Sequence, residues 1–318
     1  MYADGSGRYA APTVNTSRGG VALVALIIAG CGADAPSTPP SAGAATSPPP
    51  SAVESPSPVS SPTPTAPPYE AVQFSAEDGP SLRGRVWSEG PIGVVLAHGF
   101  SPDSGQEDWN WAFHGAETLG YDGRFAEHLA DLGYGVLTFD FRGFCDYEGC
   151  SEGSIDLAEN WRDVVAAVDF LRSRGSERIF IVAASMGGIE TFRAADEVDL
   201  DLAGIVSLAT PQYPSTYYAH VGEPPENDVT PQRLQRIEAP KLFIAGADDV
   251  QTQADLAPGV GTVRFADEAR SMFEAARQPK QLEIVDSSSH SSDLVTSAGK
   301  DVIEHTRALI VAFIEEHA

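Results

Sequence analysis

Residues 178–190, RIFIVAASMGGIE, set a β-branched and aromatic run, Arg178 to Ala183, just before a pair of glycines and the start of a helical pattern. A short apolar run of this composition reads as a buried strand, and Ile189, Glu190, Thr191 and Phe192 open a helix. Ser185 sits between the two, with Ala183 two residues before it and Gly187 two after. So tight a strand-to-helix turn closes only when the neighbours are small, and it holds the serine backbone in a strained conformation. The hydroxyl is then presented at the carboxyl end of the strand, near the unsatisfied N–H groups of the helix N-terminus. Because Ala, Ser and Gly are common in this chain, the string alone also fits an ordinary strand–helix loop. The remainder of the chain has to decide.

Further strand signals fall at Ala71–Ser75, Leu82–Trp87, Ile92–Ala97, Tyr134–Phe139, Gly204–Leu208, Lys241–Ala245 and Gln281–Val285. Helical patterns lie at Gly123–Leu132, Ile155–Arg174, Gly188–Glu197, Val263–Ala276 and Lys300–Glu316. Two strands without an intervening helix, then strands alternating with helices, imply an antiparallel start running into a parallel sheet. With Ser185 on its turn, this order resembles the α/β-hydrolase fold family over essentially all of residues 69–318. The resemblance implies an α/β protein with a mostly parallel eight-stranded sheet, flanking helices and a small lid. Ala183 departs from the family pattern, which has Gly there, though alanine is also small.

In a parallel sheet, functional groups belong at the carboxyl ends of the strands. Gly246-Ala247-Asp248-Asp249 follows one strand signal and Asp286-Ser287-Ser288-Ser289-His290 follows another. The order Ser185, Asp249, His290 is the Ser…Asp…His order of the family's triad. A serine hydroxyl becomes a useful nucleophile only when an imidazole takes its proton. A carboxylate then fixes the imidazole tautomer and stabilises the cation that forms. The family pattern places the acid three residues after the glycine, which favours Asp249, while Asp248 on the same turn remains an alternative. A lone loop histidine is usually just solvated, and His290 stands out only because of the loops that precede it. His128, His305 and His317 fall on helical patterns, where a solvated face explains them.

The resemblance further implies an oxyanion hole from two backbone N–H groups, those of Met186 and Phe100. Phe100 follows the pair His98-Gly99 after the strand Ile92–Ala97, and His98 reads as a structural loop residue. Asp140-Phe141-Arg142-Gly143-Phe144 resembles the family's D-x-R-G-x-G loop, with Cys145 where Gly is usual. Two stretches are placed to shape a pocket. One is 101–122, with Trp109, Trp111, Phe113 and His114; the other is 211–227, with Tyr213, Tyr217 and Tyr218. These aromatics serve equally well to pack loops against the body. Thr230-Pro231 reads as a helix N-cap and first turn.

The N-terminal part is of another kind. Arg8 and Arg18 precede an apolar run from Val21 to Ala29, too short to span a bilayer but suited to a signal-peptide core. Ile28-Ala29-Gly30-Cys31 looks like the lipobox of bacterial lipoproteins, which implies cleavage before Cys31 and acylation of its thiol. The alternative is a plain secretory signal. The leader is longer and less basic than is usual, with Asp4 offsetting an arginine, as if translation began downstream of Met1. Half of the chain's 24 prolines fall between Ala35 and Pro68 among Ser, Thr and Ala. Such a stretch cannot bury a core and favours extended polyproline II, with a reach of roughly 100 Å at about 3.1 Å per residue. The expected organisation is thus a signal over 1–30, a lipidated linker over 31–68 and a catalytic domain over 69–318. Export would place Cys145 and Cys150, five apart in one loop, where disulfides persist, so a bond between them is expected over two free thiols.

The formal charge of −25, from 20 basic and 45 acidic residues, repels phosphates and anionic headgroups. It argues against nucleic acid and leaves the lipid anchor as the only membrane contact. No CxxC or Cys/His cluster suggests a metal, and a triad releasing its acyl group to water needs no cofactor. The expected protein is an exported serine hydrolase, lipid-anchored to the outer face of a bacterial membrane. It would cleave small-molecule carboxylic esters through an acyl-enzyme. A serine peptidase or amidase on the same triad, or an inactive surface-tethered binding protein, are the alternatives. The anchor is directly testable. In a bacterium with lipoprotein processing, the wild type should fractionate with membranes and Cys31→Ser should not, because lipid chains supply about 0.8 kcal/mol per buried CH₂. Membrane retention of the signal-cleaved Cys31→Ser protein would overturn the lipobox reading.

Overall fold

A computed structural model describes residues 68–101, 105–109, 124–252 and 255–318. Cys31, the Pro-rich stretch before residue 68, and Trp111, Phe113 and His114 lie outside the described residues. Eight strands build the main sheet: β1 (Glu70–Ser75), β2 (Ser81–Ser88), β3 (Ile92–Ala97), β4 (Gly135–Phe139), β5 (Arg178–Ala184), β6 (Gly204–Leu208), β7 (Lys241–Gly246) and β8 (Lys280–Val285). They lie side by side in the order β1-β2-β4-β3-β5-β6-β7-β8. β2 runs antiparallel to both of its neighbours, and every other pair is parallel. This is the antiparallel start and parallel continuation expected from the order of the elements.

Among the described residues, six helices of six or more residues flank the sheet: α1 (Phe125–Asp131), α2 (Trp161–Ser173), α3 (Met186–Glu197), α4 (Pro231–Arg236), α5 (Phe265–Ala275) and α6 (Lys300–His317). The strand β5 shows why its sequence is apolar throughout. Phe180, Val182 and Ala184 face α1 and α6, packing with Phe125, Leu129 and Phe313. Ile179, Ile181 and Ala183 face the other way, onto Val164, Val168 and Leu171 of α2. A parallel sheet covered on both faces has no solvent side, so alternation disappears from its central strands. On that second face, further along the sheet, Ile205 and Phe243 pack with Phe192 of α3, Leu234 of α4 and Met272 of α5.

Two helices begin later than their patterns suggest. The apolar periodicity from Ile155 becomes helix only at Trp161, after a turn in which Asp156 Oδ1 accepts from the Ala158 N–H at 3.1 Å and the Asp156 carbonyl from the Asn160 N–H at 3.0 Å. Val263 and Arg264 pair antiparallel with Gln251 and Val250, which delays α5 to Phe265. Thr230 caps α4 as expected, its hydroxyl accepting from the Arg233 N–H at 3.2 Å with Pro231 next.

The loop after β4 is fixed by buried polar contacts. Asp140 accepts from the backbone N–H of Gln106 at 2.7 Å and from its side-chain amide at 2.8 Å. Arg142 is held between Asp163 and Asp78, at 2.6 Å from each. Asp146 takes Arg83 and Arg85 of β2, each at 2.9 Å, and the Gln106 amide at 2.9 Å. Asp146 sits in a two-residue hairpin in which Cys145 and Cys150 pair across the strands and are joined by a disulfide. In the denatured, unreduced protein neither cysteine should therefore react with an alkylating reagent until reductant is added. Peptide mapping that found either one alkylated beforehand would show the bond open.

Candidate active site

Ser185 stands between the last residue of β5 and the first of α3, with φ 47° and ψ −109°. A non-glycine residue in that region costs of order 1–3 kcal/mol, and such residues gather where function requires the geometry. Neighbouring backbone holds it there. The Ser185 N–H donates to the carbonyl of Leu208 on β6 at 2.9 Å, and the Ser185 carbonyl accepts from the Gly188 N–H at 3.0 Å. Two residues on, a Cβ at Gly187 would come within 2.3 Å of the Ala97 carbonyl oxygen, so α3 can start only with glycine there.

The ends of β7 and β8 supply the partners. Asp249, 3% exposed, follows β7, and His290 follows β8. Asp249 Oδ2 lies 2.8 Å from His290 Nδ1, and His290 Nε2 lies 3.2 Å from Ser185 Oγ. The carboxylate can only accept, so Nδ1 carries the proton and Nε2 is free to take one from the serine. Burial pushes the Asp249 carboxyl up, against the opposing bond from His290. A desolvated carboxylate attracts an imidazolium more strongly than a hydrated one, so the arrangement favours the cation that proton transfer creates. Phe265 supports the imidazole with ring centroids 4.4 Å apart. Asp248, the other acid on the turn, is exposed and not among the contacts of His290.

Gly99 and Phe100 lie beside Ser185, and Phe100 and Met186 both line its pocket. As the first residue of α3, Met186 has an N–H with no acceptor inside the helix. His98 is completely buried behind them. Its Nδ1 lies 2.6 Å from the Gly99 carbonyl, and the Phe141 N–H donates to its Nε2 at 3.2 Å. Burial lowers its pKa to about 4, so it is neutral with its proton on Nδ1. It links the loops after β3 and β4 and holds the Gly99–Phe100 segment in place.

The pocket in front of Ser185 has a volume of about 640 Å³, with Leu157, Ile189, Tyr218 and Val221 among its walls. Of the three tyrosines in the stretch after β6, only Tyr218 lines it, while Tyr217 turns to Glu268 at 2.9 Å. Trp109 is fully buried and packs on Phe125, as core rather than pocket wall. His317 is not simply solvated either, since its ring packs edge-on against Phe313.

Sequence reasoning missed His220 and Glu223, which line the pocket, and the buried Glu190. Glu190 on α3 is fully buried, and burial together with Glu223 raises its pKa well above the ordinary value. Burial also raises Glu223, to about 7. The Asn227 amide donates to Glu223 at 2.7 Å and to the Leu157 carbonyl at 2.6 Å, while Arg193 of α3 donates to its oxygen at 2.5 Å. Most of the cluster's contacts join residues far apart in the chain, which hides it from a sequence reading.

The sheet order, the turn at Ser185 and the groups at the ends of β7 and β8 together give the chain the α/β-hydrolase fold. A family model described as Serine aminopeptidase, S33 matches residues 111–226. The putative hydrolase YtaP of Bacillus subtilis (strain 168) is 32% identical over 118 residues, which is 32% of this chain and 38% of that protein. The match thus spans little more than a third of the curated relative. Among solved structures, the Pyrococcus furiosus esterase Pf2001 superposes with a TM-score of 0.56 at 20% identity, over 78% of this chain and 92% of that one. The alpha/beta hydrolase GrgF from Penicillium sp. sh18 gives 0.54 at 16%, over 79% and 99%.

The two adjacent acids separate cleanly by experiment. Asp249→Ala should lower kcat by about 10³–10⁴, whereas Asp248→Ala should stay within about twofold of wild type. The reverse pattern would reassign the acid.

Proposed function

We propose that this chain is a serine hydrolase that cleaves carboxylic esters of short or medium acyl length through an acyl-enzyme. The reading rests on one observation above the others, the continuous contact from Ser185 Oγ through the His290 ring to Asp249 on a strained turn. Ser185 attacks the acyl carbonyl as His290 Nε2 takes its proton. The N–H groups of Met186 and Phe100 receive the oxyanion, each such donor being worth roughly 3–4 kcal/mol in the transition state. The imidazolium returns the proton to the leaving alcohol, and water, activated by the same imidazole, releases the acid.

Acyl length is limited by the walls. The stretch after β6 consists of short turns, Pro214–Tyr217, Ala219–Val221 and Pro225–Asn227, and is tied down rather than hinged. Asn227 fastens it to α3, and Asp228 accepts from the Ser215 N–H at 3.0 Å and its hydroxyl at 2.8 Å. Proline at 224 and 225 removes the freedom that a lid opening onto a lipid surface needs. A second reading, amide or peptide cleavage on the same three residues, is favoured by the description of the matching family model. An inactive binding protein is disfavoured, because all three groups are present and in contact. We further propose that the lipobox cysteine, Cys31, anchors the enzyme outside the cell membrane.

A fluorophosphonate should label Ser185, and Ser185→Ala should abolish labelling and lower kcat by roughly 10⁴–10⁶. Near wild-type turnover in that variant would overturn the assignment. Across a series of acyl esters, kcat/KM should peak at short to medium chains without a jump when substrate forms droplets. A rate that climbs with chain length and jumps at an interface would indicate a lipase, and efficient cleavage of peptide amides would promote the second reading.

A further inference from the structure

Ser291 follows His290 directly and lines the same pocket. It carries two unfavourable features at once. Its φ of 61° puts a non-glycine residue in the left-handed region. Its hydroxyl is buried with no hydrogen-bond partner, in a residue only 6% exposed, although nearly all buried hydroxyls in folded proteins find one. Glycine would relieve the backbone and alanine would remove the orphan, so neither feature serves stability. The position of the hydroxyl is specific. A Cβ built on Gly99 would lie 3.4 Å from Ser291 Oγ and 3.6 Å from Ser185 Cβ, so the hydroxyl and the nucleophile flank the same point on the loop that leads to Phe100.

We propose that the Ser291 hydroxyl is a third donor to the oxygen that becomes negative when Ser185 attacks, beside the N–H groups of Met186 and Phe100. The proposal rests on the serine-hydrolase reading above. In the step concerned, the bond from Ser185 Oγ to the carbonyl carbon forms and the carbonyl π pair moves onto its oxygen. The Ser185 proton passes to His290 Nε2. The Ser291 O–H donates to the new oxyanion and keeps its own proton. When the intermediate collapses, the pair returns, the bond to the leaving oxygen breaks, and His290 protonates that oxygen. Ser291 Oγ then loses its acceptor again. A donor that finds its partner only in the transition state raises kcat without tightening ground-state binding.

The test compares Ser291→Ala and Ser291→Gly with wild type in the full chain. Four quantities are read: kcat and KM on a short-chain ester, the rate of fluorophosphonate labelling at Ser185, thermal stability, and affinity for two inhibitors. One inhibitor is a trifluoromethyl ketone, which forms an oxyanion on the serine; the other is the corresponding secondary alcohol, which does not. Both variants should lose at least about tenfold in kcat, in labelling rate and in ketone affinity, with KM and alcohol affinity within about twofold. Ser291→Ala should unfold no earlier than wild type. A kcat and ketone affinity within about twofold of wild type would overturn the proposal. So would an equal loss of both inhibitors accompanied by lower thermal stability, the signature of a loop that has merely collapsed. If wild type labels at Ser185 but turns over no ester, the ester reading fails alone, and Ser291 is judged on the labelling rate and ketone affinity. Absence of labelling at Ser185 would overturn both.

Discussion

The backbone of Ser185 is the constraint from which the rest of the site follows. Its conformation is unfavourable by itself, so something must hold it, and the holders come from four elements. β6 accepts its N–H through Leu208, and α3 donates back through Gly188. β3 presses the Ala97 carbonyl against Gly187, and the buried apolar rows of β5 fix the strand that delivers it. The hydroxyl therefore stands where the packed sheet puts it, and its placement is as rigid as the core. A strained residue persists only when its surroundings over-determine it.

Strand direction then decides where the partners can be. β5, β7 and β8 run parallel, so the loops that leave them emerge at one edge of the sheet. That is why residues 64 and 105 positions away from the serine, Asp249 and His290, meet it without any special local sequence. Behind them lies a layer that never reaches the pocket. His98 joins the loops after β3 and β4 as a neutral imidazole, and Asp140, raised to about 7 chiefly by burial, holds the segment at Gln106. These contacts share one property, that every buried polar atom named in them has a partner. Partly satisfied networks cost far more than complete ones in a low dielectric.

Most of this was legible in the sequence for identifiable reasons. The central strands are covered on both faces, which leaves continuous apolar runs that stand out from the helices. The three groups at the strand ends are chemically distinctive and follow a fixed order. Asp249 against Asp248 was decided by its distance from Gly246, and the structure separates the pair because successive residues on the turn face opposite ways, one buried and one in solvent. The pocket walls were not legible. Leu157 is a wall because it lies in the turn ahead of α2, which begins only at Trp161. Trp109 lies close in sequence to Gly99 and Phe100, yet it packs into the core on Phe125 because Gln106 and Glu107 bind Asp140 and Arg85 and pull that segment inward.

Glu190 marks the furthest point from anything sequence could reveal. It lies on α3 five residues past Ser185, where a helical pattern would put a charged residue on a solvated face. The stretch after β6 covers that face instead, bringing Glu223 and Asn227 over it. Burial raises both carboxyls, and each raises the cost of ionising the cluster. The stretch is therefore held to α3 largely by hydrogen bonds to Asn227 rather than by an ion pair between opposite charges. Arg193 approaches through the Asn227 oxygen and stacks over Trp161, its centre 5.7 Å from the ring. Hydrogen bonds are directional and short in reach, so they fix the pocket wall at one distance, whereas a pair of surface charges would tolerate sliding. The same helix that begins at the strained serine thus also anchors a wall of the pocket in front of it, so both stand on one packed element.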